Sequence, residues 1–445
     1  MTRIAPKREL SLFDSTCIIV GIIIGAGIYQ MAPDIAKGAG SSWGVLALWG
    51  LGGLLSLCGA LGYAELATAY PQEGGDYVYL SKAYGRWAGF LFGWAQLTVV
   101  RPGDIAVMAF AFATYARAIY DPLAGHPQVS QRVFAGAATI ALTLINIAGV
   151  KQGKWTQNLL TTVKALGLLA IVAIAIVAPR AGREATPFEP LPMSLALIFV
   201  LFVYGGWNEM AYVAAEVKDP RKNIVRALVV GTAAVMVLYL LVNGAFLYTL
   251  GHDGLAASQA VASESIATVF PTVGARLISA LVCISALGAA NGLIFTGARI
   301  SYALGSEHRT FRALGRWHER TGTPVPALAA QGAIALGLIL VFGGYIDAIL
   351  YTAAAVYAFY MATSLSVIVL RFKEPQVERP YRVTGYPVTP LIFSAVCAVL
   401  IHSSISYAWA FKRISLIVLL AALGLGMVVY WFADVRPGKR GTHSL

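Results

Sequence analysis

The feature that most limits what this chain can fold into is a succession of apolar runs with little between them. About twelve runs fill the 445 residues, and the longest polar connections, around 179–192, 305–325 and 371–386, are short. A run of about 20 apolar residues matches the hydrocarbon thickness of a bilayer. Within lipid, each backbone N–H and C=O must be satisfied inside the protein, so such runs form helices. Composition agrees, with 58% hydrophobic and 12% charged residues, where soluble domains carry about 25% charged residues. The expected fold class is an all-α integral membrane protein with about twelve transmembrane helices and no separate soluble domain.

The net charge of +12 does not point to nucleic acid, because the basic residues are spread among the loops. With the N-terminus placed inside, most Lys and Arg fall on the inner ends of the spans, which is the positive-inside signal. Both termini, 1–10 and 434–445, are therefore expected in the cytoplasm, and the protein in the cell (inner) membrane. The first span runs into the second without a small-residue cleavage site, so it is expected to stay. Cys17, Cys58, Cys283 and Cys397 all lie in apolar runs and read as small buried residues. The histidines lack ligand spacing, and the stretch "GVKQGK" at 149–154 is too short for a phosphate loop. No metal, cofactor or nucleophile–base set is expected, and no enzymatic activity.

Two of the spans are broken. "GIIIGAGIY" places Gly25-Ala26-Gly27 inside the first, and "LFVYGGWNEM" places Gly205-Gly206 inside the sixth. Glycine costs about 1 kcal/mol against alanine in a helix interior. Gly205 follows Gly25 by 180 positions. Five spans per repeat is an odd number, so residues 11–178 and 193–372 would form two inverted repeats, each opening with a broken helix, with 386–433 as two further spans. Paired Gly-interrupted spans at matching positions mark the midplane site of a secondary transporter. A half-helix that begins mid-membrane offers N–H groups to an anion, and one that stops there offers carbonyls to a cation. Ala26, Gly27 and Ile28 can offer N–H groups; Ile23, Phe202, Val203 and Gly205 can offer carbonyls. A ligand that satisfies both is a small zwitterion such as an α-amino acid.

Several longer stretches carry a family resemblance. "GIIIGAGIY", "GALGYAELATAYPQEGGDYVYL" (59–80), "RPGDIAVMAFAFATYA", "YGGWNEMAYVAAEVKDPRKN", "GAANGLIFTGARISYALG" (288–305) and "LRFKEPQVERPYRV" (370–383) resemble the L-type amino-acid transporter (LAT) family of the amino acid–polyamine–organocation superfamily. The resemblance runs from about 10 to 433. It implies a twelve-span transporter with a five-plus-five inverted repeat, working by alternating access on an amino-acid substrate held between spans one and six. By the same resemblance, Gly25, Ala26 and Gly27 hold the carboxylate. Ile23, Phe202, Val203 and Gly205 hold the ammonium, and Phe202 is the gating aromatic. Asn208 lines the side-chain pocket, while Tyr239 and Tyr357 match aromatic positions of the seventh and tenth spans. Eukaryotic members join a heavy chain through a cysteine between spans three and four. Here "IYDPLAGHPQVSQR" has none, so a prokaryotic-type member without a disulfide-linked heavy chain is expected.

Charges inside the spans complete the reading. Lys164 lies about ten residues into span five, where a cation must face the bundle interior. In related transporters a lysine at this place substitutes for a sodium ion, which implies sodium-independent exchange, with neutral amino acids as the expected substrates. Arg101 and Asp104 are three apart on one helix face and are expected to pair. Glu65 and Glu216, near span ends, read as structural. Glu209 follows Asn208 by about 100° of helical rotation. With Asn208 toward substrate, Glu209 points at neighbouring helices. A cavity-facing Glu209 would instead favour a basic amino acid or polyamine, the alternative of a proton-coupled carrier. A channel or a non-transporting sensor is the reading from another class.

Overall fold

The computed structural model describes residues 7–178, 187–267, 269–270, 273–341, 345–411 and 413–432. The expected C-terminal tail at 434–445 and most of the N-terminal segment lie outside the described residues. Among the described residues, ten helices are long and apolar enough to cross a bilayer, and two shorter apolar helices, Val325–Val341 and Leu416–Phe432, complete the twelve. The fold is all-α. The β-pairing among the described residues consists of two isolated bridges, Leu10 with Val217 and His318 with Thr323.

The first span (Leu12–Gln30) starts at a capping box. Asp14 N donates to Ser11 Oγ at 3.2 Å, and Ser11 N donates to Asp14 Oδ2 at 2.9 Å. This satisfies two donors that a helix start leaves over. Just before it, Leu10 N donates to the Glu216 carbonyl at 2.9 Å and Lys218 N to the Leu10 carbonyl at 2.8 Å. The entry of the first span is thus stitched to the exit of the sixth (Met193–Glu216). Between the second span (Ser42–Ala69) and the third (Arg86–Ile119) lies a short helix, Asp76–Tyr84, that the hydropathy pattern does not mark. Its Asp76 is fully buried and accepts from Tyr63 and Thr363 hydroxyls.

Both expected breaks are present. The first span stops as a helix at Ile23 and resumes at Gly27; the sixth stops at Val203 and resumes at Trp207. Its second half, Trp207–Glu216, is wound as a 3₁₀ helix. The packing follows the sequence repeat. The first span lies against the sixth, the second against the seventh (Pro220–Ala257), the third against the eighth (Gly274–Glu307), and the fourth (Pro127–Ala148) against the ninth (Val325–Val341). Four spans of the first five therefore touch the span five places further on.

Buried charge ties the ends of the bundle. Glu216 takes both Arg299 Nε (2.7 Å) and Nη2 (3.1 Å), with both side chains almost fully buried. Glu65 takes Arg371 at 2.9 and 2.6 Å, and also the backbone N–H of Val383 at 2.7 Å, which fixes the loop after the tenth span. Removing one partner from such a pair strands a buried charge, at about 3–5 kcal/mol.

Candidate functional site at the two helix breaks

The breaks face each other. Gly206 adopts φ +109, and a Cβ there would lie 2.6 Å from Ile22 Cγ2 and 3.3 Å from Ile23 N. A Cβ on Gly27 would lie 2.8 Å from Val203 Cγ2. Glycine at 206 supplies the left-handed backbone that other residues avoid. At 27 it lets the restarting helix approach the end of the sixth-span half-helix. Each break is thus packed on the other, in a near-reciprocal contact.

Backbone groups at the breaks are left over. Among the described residues, the N–H groups of Ala26, Gly27 and Ile28 donate to no acceptor, and the carbonyls of Val203 and Gly205 receive no donor. The other expected carbonyls are engaged. Ile23 accepts from Gly25 N (2.8 Å) and from Tyr239 Oη (2.8 Å), and Phe202 accepts from Gly205 N (2.9 Å). The ammonium-holding role expected of Ile23 and Phe202 therefore meets carbonyls already in use, whereas Val203 and Gly205 are open.

A cavity of about 110 Å³ lies between the breaks. Its wall includes Ile23, Gly25, Gly27, Phe202, Val203, Gly205, Glu209 and Tyr357 from the expected set. Ala26, Ile28, Asn208, Lys164 and Tyr239 are not in the wall; all five are buried behind it. For Asn208 this corrects the pocket-lining expectation. Its Nδ2 donates to Tyr212 Oη at 2.7 Å, and its Oδ1 accepts from Tyr360 Oη at 2.9 Å. Tyr360 is itself in the cavity wall.

Lys164 braces the first break. Its Nζ donates to the carbonyls of Gly21, Ile24 (2.7 Å) and Ser285 (3.2 Å), with the side chain fully buried. Ser285 Oγ adds bonds to the Ile24 and Gly25 carbonyls, both at 3.0 Å. The fifth and eighth spans thus hold the carbonyl end of the broken helix. Three carbonyls thus converge on one ammonium.

The expected Arg101–Asp104 pair does not form. Arg101 Nη1 donates instead to Glu209 Oε1 at 2.9 Å, and Thr296 Oγ1 donates to Glu209 Oε2. Pro102 brings no N–H to the helix, which releases a carbonyl one turn earlier. The third span is widened to a π-helical turn there, at Gln96–Val100. Sequence reading missed Asp104, Met108, Thr352 and Tyr360 as wall residues. The available signal was the presence of Arg101, Asp104 and Glu209 in apolar runs, two acids against one base.

Together these features define a class: a multi-span membrane carrier of the inverted-repeat, broken-helix kind. Residues 10–433 match the family described as amino acid permease. The chain is 31% identical over 437 residues to the b(0,+)-type amino acid transporter 1 of Mus musculus, covering 96% of this chain and 88% of that protein. It is 32% identical over 411 residues to the human large neutral amino acids transporter small subunit 2, covering 88% and 75%. It is 32% identical over 460 residues to the mouse Asc-type amino acid transporter 1, covering 100% and 85%. The chain belongs to the amino acid permease family and, within the amino acid–polyamine–organocation superfamily, to the L-type amino-acid transporters.

Proposed function

We propose that the protein is a secondary transporter that exchanges L-amino acids, neutral ones among them, without sodium and by alternating access. The observation that carries the reading is the opposition of spare donors and spare acceptors. The N–H groups of Ala26, Gly27 and Ile28 stand at the restart of one broken helix, and the Val203 and Gly205 carbonyls at the stop of the other. Gly27 is the one of these three in the cavity wall, so an α-carboxylate meets the first set there, while an α-ammonium meets the second. Phe202 and Tyr357, which share the wall with Tyr360, act as gates over the substrate. Tyr239 and Lys164 hold the first break in shape.

Sodium independence is supported by Lys164, whose ammonium occupies the carbonyl cage at Gly21, Ile24 and Ser285. Residues 11–178 and 193–372 are the two repeats that move against each other, with 386–433 outside them. The basic loop ends favour an orientation with both termini in the cytoplasm. The connection between the third and fourth spans contains no cysteine, so the carrier works without a disulfide-linked heavy chain, as a prokaryotic-type member would. It is a carrier and not an enzyme.

The test is substrate competition on purified protein in liposomes. Alanine or leucine should displace labelled substrate, while the corresponding amine and carboxylic acid, each lacking one charged end, should not. Equal competition by either analogue would contradict recognition of both ends by the breaks.

A further inference from the structure

We infer that Asp104 sets the side-chain preference of the cavity and gives it a place for a basic side chain: ornithine, lysine or arginine. The inference rests on the exchange reading above, and it concerns the part of the substrate that the helix breaks do not touch.

Among the described residues, the cavity wall holds two carboxylates, Asp104 and Glu209, and no Lys, Arg or His. Glu209 is spoken for, by Arg101 at 2.9 Å and by the Thr296 hydroxyl. Asp104 makes neither a hydrogen bond nor an ion pair among the described residues. The cation one turn before it on the same helix is turned to Glu209. Arg101 is thus the one cation shared by two carboxylates, bonded to Glu209 and acting on Asp104 only through space, which leaves one negative charge in excess beside a cavity within the spans, where isolated charge is costly. The complement that best offsets it is a cation brought in by the substrate.

The distances suit a long side chain. Asp104, Val107 and Met108 form one face of the third span, at spacings that align on a helix. The Met108 end of that face lies at the first break, its Sδ 3.3 Å from where a Cβ on Gly25 would stand. Asp104 is one turn away, about 5–6 Å along the helix axis. An amino acid with its carboxylate at Ala26–Ile28 and a four-carbon stem spans about this length. The wall between is apolar, with Val107, Leu293 and Val356, and suits methylene groups. Neutral amino acids still fit the two breaks but leave Asp104 without a partner.

The experiment compares lysine with norleucine, which has the same stem without the ammonium, as competitors in the liposome exchange assay. In the wild-type protein lysine should compete about tenfold or more better, the scale of one charge-assisted hydrogen bond. Asp104→Asn should bring the two competitors to parity or reverse their order. The wild-type comparison needs no variant, so a poorly folding Asp104→Asn does not block it. Equal competition by lysine and norleucine in the wild type would overturn the inference while leaving amino-acid exchange intact. An unchanged lysine preference in a folded Asp104→Asn would overturn it too. Absence of exchange for every amino acid would remove the function on which it stands.

Discussion

Arg101 and Glu209, 108 residues apart in the chain, meet at 2.9 Å in the interior of the bundle, with their side chains 3% and 5% exposed. The contact joins the third span to the rewound half of the sixth, and it removes Glu209 from the set of charges free to meet a substrate. Arg101→Gln or Glu209→Gln alone should destabilise the purified protein by about 3–5 kcal/mol, because each strands a buried charge. The double variant should recover part of that loss. Thermal unfolding of the four proteins in one detergent checks this; strict additivity of the two single losses would mean the residues do not act as a pair.

Lys164 is the second place where one side chain holds the site together. Replacing it with alanine leaves the Gly21 and Ser285 carbonyls without its ammonium and the Ile24 carbonyl with only Ser285 Oγ. Each unsatisfied buried acceptor costs about 1–3 kcal/mol. Lys164→Ala should therefore cut exchange by about tenfold or more while the protein still inserts. Rates measured in parallel with membrane yield decide it; full exchange at normal yield would show that the first break keeps its shape unaided.

At the contact between the breaks, Gly27→Ala places a methyl group 2.8 Å from Val203 Cγ2. Overpacking of this kind costs about 1–3 kcal/mol. Substrate affinity should fall, and Val203→Ala, by making room, should restore much of it. If Val203→Ala leaves the Gly27→Ala defect unchanged, the loss comes from the backbone of Gly27 and not from crowding.

His308, just past the eighth span, is buried against Phe90 and Tyr430. Burial, helped by the nearby Arg86 cation, pulls its imidazole down to about 4 from the usual 6.5. The folded state therefore resists protonation of His308, while the unfolded chain takes up the proton near its ordinary value. The stability this group contributes is complete above about pH 6.5 and is lost as pH falls toward 4. Melting temperatures across this window should decline, and His308→Phe should make the decline shallower. An identical slope in the variant would place the pH response elsewhere.

How much of this was legible in the sequence depends on the kind of signal. The breaks at Gly25–Gly27 and Gly205–Gly206 were readable because an unfavourable residue inside an apolar run has few other uses at matched positions. The twelve spans were readable because lipid leaves a chain so few options. The facing of Asn208 and Glu209 was not. The expectation assumed about 100° per residue, but Trp207–Glu216 is a 3₁₀ helix, at about 120° per residue. That changes the step from Asn208 to Glu209 by only about 20°; the half-helix restarts after a left-handed Gly206, and its packing against neighbouring spans, not rotation per residue, puts Glu209 in the cavity wall and turns Asn208 to Tyr212 and Tyr360. Partner choice was illegible for a similar reason. Arg101 and Asp104 are neighbours in any helix, and only the approach of the sixth span decides that Glu209 takes the guanidinium. The short helix Asp76–Tyr84 escaped notice because its apolar residues are too few to register as a span.

The most direct measurement is uptake of labelled amino acid into liposomes holding the purified protein, in sodium-free buffer at equal pH, with and without unlabelled amino acid inside. Saturable uptake that depends on a loaded lumen is the result that exchange by alternating access predicts. Linear, non-saturating flux that ignores the lumen, or uptake that starts only when sodium is added, would contradict it.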